Sequence, residues 1–338
     1  MAPRAVIFGC EGLRLSAAEA AFFRDTDPFG FILFQRNCAD SDQVRALVHA
    51  LRSCVGRADA PVLIDQEGGR VQRLKPPHWR KRPAMRAVGE IFERDRARGL
   101  RLAWGLARAM AAELHDLGIS VDCAPVLDVP VTGAHDVIGD RAFGETVNQI
   151  AALGGAQIEG FLDGGVLPVI KHIPGHGRAR SDSHLELPVV GTDAATLEAT
   201  DFAPFRLVSQ APFAMTAHVV YAAFDAKRPA TLSPRVIGEI IRGSIGFDGC
   251  LMSDDLSMKA LSGSFAERTL ASLSAGCDLA LHCNGSMAEM QDIAAAAPRL
   301  SGDALRRANA ALSMLKPPKP LDLVALEDEL ASAFGAVA

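Results

Sequence analysis

Residues 167–184 read LPVIKHIPGHGRARSDSH. The opening LPVI is apolar without alternation, the pattern of a short strand covered on both faces. The run stops on Lys171 and His172, and Pro174, Gly175 and Gly177 then turn the chain into a loop. An apolar strand ending on charge is one unit of a parallel sheet whose site lies at the strand C-termini. The same pattern recurs in AVIFG (5–9), GFILF (30–34), PVLID (61–65), ISVDCA (119–124), FAMTA (213–217), CLMSD (250–254) and DLALHC (278–283).

Helical stretches separate these runs. Ser16 with Glu19 reads as a capping box. Val44, Leu47, Val48, Leu51 and Val55 keep helical spacing, as do Leu100, Trp104, Ala107, Ala111 and Leu114. Ser233-Pro234 opens another helix, and Ser264 caps one that runs to Gly276. No GxGxxG follows an early strand, which argues against a dinucleotide fold. Eight strand–helix units predict an α/β chain folded as a single (β/α)8 TIM barrel over residues 1–315. The break at KPPKP (316–320) and an acidic helix at about 321–335 make 316–338 a C-terminal segment packed on the outside.

The 338 residues are 49% apolar and 22% charged, enough to build a large core, so a disordered chain is excluded. The net charge of -5 gives no basic excess for a nucleic-acid backbone. The seven cysteines are odd in number and form no CxxC, which suits reduced thiols. The apolar run from Ala5 to Cys10 is too short for a signal-peptide core, and no run approaches the ~20 residues that span a bilayer. A cytoplasmic monomer acting on a small substrate, with no membrane or nucleic-acid partner, is the expectation.

The strand ends gather ionisable groups: Asp65, Lys171, His172, His218, Asp254 and His282. An enzyme has reason to converge such groups from several strands. The loop after Lys171 carries His172, His176, Asp182 and His184. These could hold a metal for a metal-dependent hydrolase, but their spacing matches neither HExxH nor paired CxxC. An Asp-x-His pair on a loop reads better as acid/base machinery, with Asp182 orienting His184. No metal and no cofactor are therefore expected. In Ser253-Asp254-Asp255, adjacent aspartates of an extended strand point to opposite sides, so only one should face the pocket. Alternation alone does not choose which, and Asp255 also suits a helix cap. Asp65 followed by a glycine bend, Arg70 and Arg73 places carboxylate and cations together, as a polyhydroxylated ligand needs.

FILFQRN (31–37), IDQEGGRVQRL (64–74), CAPVLDV (123–129), IGDRAF (138–143), KHIPGHG-x4-DSH (171–184), MTAHVVY (215–221) and SDDLSM (253–258) together resemble the glycoside hydrolase family 3 β-N-acetylhexosaminidases of the bacterial peptidoglycan-recycling type. The resemblance spans about Val6 to Asn284. It implies a retaining mechanism with Asp254 as nucleophile and His184 as acid/base held by Asp182. It implies substrate contacts from Asp65, Arg73, Arg141, Lys171 and His172, and gives His218 and Asp128 no defined role. The implied substrate is a muropeptide fragment bearing N-acetylglucosamine β-linked to 1,6-anhydro-N-acetylmuramic acid, with or without peptide. Ala142 departs from the serine of many members. A phosphorylase, a broader β-glycosidase of the same fold and an inert muropeptide-binding barrel remain alternatives.

Overall fold

The computed structural model describes residues 1–183 and 185–335. In chain order its main elements are β1 (Arg4–Gly9), α1 (Ala17–Thr26), β2 (Pro28–Leu33), α2 (Ser41–Val55), β3 (Val62–Ile64), α3 (Met85–Arg94), α4 (Arg96–Asp116), β4 (Val121–Asp122), α5 (Val147–Asp163) and β5 (Leu167–Ile173). They continue with α6 (Ala194–Ala199), α7 (Ala203–Leu207), β6 (Phe213–Thr216), β7 (Cys250–Asp255), α8 (Phe265–Ala275), β8 (Leu279–His282), α9 (Met287–Ala296), α10 (Gly302–Ser313) and α11 (Leu323–Phe334). β1 to β8 pair in sequence order and β8 closes on β1, all in parallel. The eight apolar runs are the eight strands of a closed (β/α)8 barrel.

Period-two alternation explains why each run is apolar on both faces. Ala5, Ile7, Leu63, Val121, Val169, Met215, Met252 and Leu281 fill the barrel. Val6, Phe8, Ile64, Ile170 and Leu251 pack outward under the helices. The same parity carries Asp65, Lys171 and Asp254 inward at the upper rim, one step beyond the last apolar layer.

The local signals hold where the side chains can reach. Ser16 and Glu19 form the expected capping box. Ser264 pairs reciprocally with Glu267, and Gly276 closes α8 in the left-handed conformation. Ser233 accepts from the Val236 amide at 3.2 Å, but the segment it starts, Val236–Ser244, is π-helical rather than α-helical. Propensity and caps do not distinguish these two windings. All seven cysteines are free thiols, five of them buried. Among the described residues no helix is long and apolar enough to cross a membrane.

α11 lies across α4, with Leu326 and Leu330 buried. Leu326 sits so close that a Cβ on Gly105 would come within 2.9 Å of its Cδ1. Arg82 ties this layer to the barrel, at 2.6 Å from Glu113 of α4 and 2.8 Å from Glu327 of α11, and is 3% exposed. Removing it leaves two half-buried carboxylates facing each other. Arg82→Leu is expected to lower the unfolding free energy in urea by about 3 kcal/mol, with Glu113→Gln and Glu327→Gln recovering most of the loss. An unchanged midpoint in Arg82→Leu would show that the pair contributes nothing net.

Candidate active site

A cleft of about 580 Å3 opens at the C-terminal ends of the strands. Its wall is a chain of alternating charge. Arg73 binds Asp65 at 2.9 Å, Asp65 binds Lys171 at 2.8 Å, and Lys171 binds Glu67 at 2.7 Å. Glu67 then accepts two bonds from Arg141, at 2.8 and 2.9 Å. Lys171 and Glu67 are each 3% exposed at the side chain. Burial alone would raise the Glu67 carboxyl, but Arg141 and Lys171 outweigh it and bring it down to about 2. Asp65 is likewise held well below the usual carboxylate range, because Lys171 and Arg73 overcome its burial. Burial would discharge the Lys171 ammonium, and the two carboxylates instead raise its pKa. All five groups are ionised at neutral pH.

The hairpin that carries Asp65, Glu67 and Arg73 is closed by a buried glutamine. Gln66 Oε1 accepts from the amides of Arg73 at 2.9 Å and Leu74 at 3.1 Å. The Gln66 backbone N–H donates to Asp122 Oδ1 at 2.9 Å. Arg70 clamps the hairpin to the facing loop through Asp136 at 2.9 Å and Asp140 at 3.2 Å.

The cleft wall continues into the end of β5 and the loop after it. Asp128, 0% exposed, accepts from the amides of His172 at 3.2 Å and His176 at 2.6 Å, and from His172 Nδ1 at 2.7 Å. His176 Nε2 lies 3.1 Å from Ser183 Oγ, and burial, then the neighbouring His172, lowers its pKa to about 4, so it stays neutral. Tyr221 donates to the Gly175 carbonyl at 2.6 Å, and Arg178 binds Asp201 at 2.6 Å. Asp182 and Ser183 line the cleft.

β7 delivers Asp254 and Asp255 to the floor. Its register against β8 slips between Met252 and Asp255, so one residue is extra there. Ser253 Oγ fills the gap by accepting from the Leu281 amide at 2.9 Å. The slip corrects the alternation argument: both aspartates line the cleft. Asp255 is committed, accepting from the Ser257 amide at 3.0 Å and the Cys283 amide at 3.2 Å. The Asp254 amide donates to Thr216 Oγ1 at 3.3 Å, and Asp254 Oδ1 accepts from the Asp255 amide at 2.8 Å. His218 Nε2 bonds the Asp255 carbonyl at 3.1 Å while Nδ1 meets Thr231 at 2.7 Å, so His218 braces the strand end from behind. His282 points the other way, into the helix layer between Phe8 and Phe265, and is not a cleft residue.

Residues 9–310 match the glycosyl hydrolase family 3 N-terminal domain. The chain belongs to glycosyl hydrolase family 3. It is 41% identical over 286 residues to a β-hexosaminidase of Alkalilimnicola ehrlichii, covering 82% of this chain and 80% of that protein. It is also 41% identical over 282 residues to a β-hexosaminidase of Methylococcus capsulatus, covering 82% of each. NagZ of Neisseria gonorrhoeae superposes with a TM-score of 0.86 at 32% identity, over 100% of this chain and 97% of that one. The same Neisseria protein has been solved in complex with N-trifluoroacetyl-D-glucosamine, with a TM-score of 0.86 to this chain.

In this family 3 barrel the cleft brings together Asp65, Arg73, Arg141, Lys171, His172, Asp182 and Asp254. His184 lies outside the described residues. Sequence reasoning missed Glu67, although it stands two residues from Asp65 in the same segment. A period-two reading of Asp65-Gln66-Glu67 puts both carboxylates on one side, which was the available signal. Asp128 left no local signal, because its partners are more than forty positions away.

Glu67 is ionised in the fold down to about pH 2, against an ordinary value of 4.5. Its stabilisation is complete above pH 4.5 and is lost as pH falls toward 2, at about 3 kcal/mol in full. Glu67→Gln should therefore be about 3 kcal/mol less stable in urea at pH 7, with the gap narrowing below pH 4.5. It should also lose about 100-fold in kcat/KM on a glycoside, since Lys171 and Arg141 lose their shared anchor. A gap that is the same at pH 7 and pH 3.5 would contradict the ionised state of Glu67.

Proposed function

We propose that the chain is a retaining exo-β-N-acetylglucosaminidase that removes terminal N-acetylglucosamine from muropeptide fragments during peptidoglycan recycling. The observation that carries this reading is Asp254 on the floor of a cleft walled by the Asp65–Lys171–Glu67–Arg141 charge chain. Sugar hydroxyls donate and accept, so alternating carboxylates and cations suit a saccharide better than an apolar ligand. The relatives named β-hexosaminidase and the Neisseria protein's N-trifluoroacetyl-D-glucosamine complex support an N-acetylhexosamine. The muropeptide identity rests on the resemblance to recycling enzymes, and the cytoplasmic setting on the unpaired cysteines.

Cleavage passes through an oxocarbenium-like transition state. In the first step an Asp254 oxygen bonds to the anomeric carbon. The bond to the leaving oxygen breaks, and protonated His184 gives that oxygen its proton. In the second step neutral His184 takes a proton from water, water oxygen bonds to the anomeric carbon, and Asp254 leaves as carboxylate. Asp182 holds the imidazole and stabilises its charged form. A histidine has an ordinary pKa near 6.5 and so supplies both forms near neutral pH. Asp65, Arg73, Arg141, Lys171 and His172 bind the sugar. The chemistry uses a carboxylate and an imidazole and requires no metal.

The test is hydrolysis of aryl β-N-acetylglucosaminide and aryl β-glucoside, each with and without chelator. The N-acetylglucosaminide should be strongly preferred and the rate should not respond to chelator. Asp254→Asn should lose at least about 1000-fold in turnover, and Asp255→Asn much less. Equal rates on the two glycosides would make the chain a broader β-glycosidase, and glycosyl phosphate as the main product at modest phosphate would make it a phosphorylase. Activity abolished by chelator and restored by zinc would replace the mechanism. Near-normal turnover in Asp254→Asn would remove the proposed nucleophile.

Histidine as acid/base has a separate consequence. His184→Ala should nearly abolish cleavage of the disaccharide while still forming a glycosyl-enzyme from an aryl glycoside with a good leaving group. Azide should then accelerate its turnover. Wild-type disaccharide rates in His184→Ala would place the acid/base elsewhere.

A further inference from the structure

Asp128 stands outside the roles assigned so far, yet it is wholly buried and takes three hydrogen bonds from the end of β5 and the loop that follows. Its Oδ1 receives the amides of His172 and His176, and its Oδ2 receives His172 Nδ1. His172 lines the cleft, and among the described residues its Nε2 has no hydrogen-bond partner. We infer that Asp128 is a positioning residue for the sugar site, which fixes His172 with its proton on Nδ1 so that Nε2 faces the substrate as an acceptor.

The geometry fixes the proton on one ring nitrogen. A carboxylate has no proton to give, so the ring nitrogen 2.7 Å from Oδ2 must be the donor. The carboxylate is held ionised by the three N–H groups that reach it from His172 and His176, which outweigh its burial, and Arg141 of the charge chain also feels its field. With Nδ1 protonated, a neutral imidazole offers only a lone pair at Nε2. The neighbouring cleft groups Lys171, Arg73 and Arg141 are donors. His172 then adds an acceptor beside them, and a sugar hydroxyl can accept from the cation while donating to the ring. The same carboxylate fixes the first turn of the loop that continues to Asp182. Sugar contact and acid/base loop therefore hang from one buried group.

The inference rests on the cleft being a sugar site, but its first test does not need turnover. In protein labelled with 15N-histidine, the His172 resonances, assigned by their loss in His172→Ala, should show the proton on Nδ1 near neutral pH. In Asp128→Asn the amide NH2 can donate to Nδ1, and the proton should move to Nε2. The Asn carbonyl can still receive both backbone amides, so the loop stays anchored. On aryl β-N-acetylglucosaminide, Asp128→Asn should raise KM about tenfold, the worth of one hydrogen bond, with a smaller fall in kcat. In the His172→Ala background the same change should move KM by less than about twofold. A wild-type His172 protonated on Nε2 overturns the proposal, as does an equal KM effect in both backgrounds. Absence of hydrolysis in wild type would overturn the functional reading and leave the tautomer result standing as the test of this one.

Discussion

The site depends on burying one ammonium. Lys171 lies near the end of an apolar strand at the barrel mouth, where an unpaired charge would cost several kcal/mol. It stays charged because Asp65 and Glu67 reach it from the β3 hairpin on either side. Those carboxylates in turn require Arg73 and Arg141. The loops after β3, β4 and β5 are thus locked to one another by charge rather than by apolar packing. A scaffold held this way presents fixed donors and acceptors to a ligand without rearranging when it arrives.

A second set of bonds fixes the other half of the cleft. Asp128 organises the start of the β5 loop, while Tyr221 and Asp201 brace it from the β6 side. Thr216, the last residue of β6, and His218, just beyond it, hold the backbone at Asp254 and Asp255. The proposed nucleophile therefore sits on a braced strand end, and the loop carrying Asp182 starts from a fixed base. Catalytic groups placed on rigid elements lose little entropy on reaching the transition state.

The barrel was legible because its strands are apolar on both faces, a pattern repeated in every unit, and five of the eight end on ionisable groups. Asp65, Lys171 and His172 were legible for the same reason, as they stand at the ends of those runs, and Arg73 was legible from the glycine bend that follows Asp65. Asp182 was legible from its Asp-x-His spacing on the loop, whereas Arg141 came from resemblance alone. The strand end at Asp254 and Asp255 was misread in part, because a register slip is invisible to strict alternation and Ser253 is what permits it. Glu67 was passed over, and Asp128 was noted without a role, because their importance lies in long-range partners. A carboxylate near a glycine bend looks the same in sequence whether it faces solvent or a buried lysine.

The central claim is that Asp254 attacks the anomeric carbon. The most direct measurement is to inactivate the protein with a fluorinated N-acetylglucosaminyl analogue whose glycosyl-enzyme breaks down slowly, digest it, and locate the added mass by peptide sequencing. The account expects one label per chain, on Asp254. A label on Asp255, Glu67 or any other carboxylate, or inactivation with no covalent adduct, would contradict it.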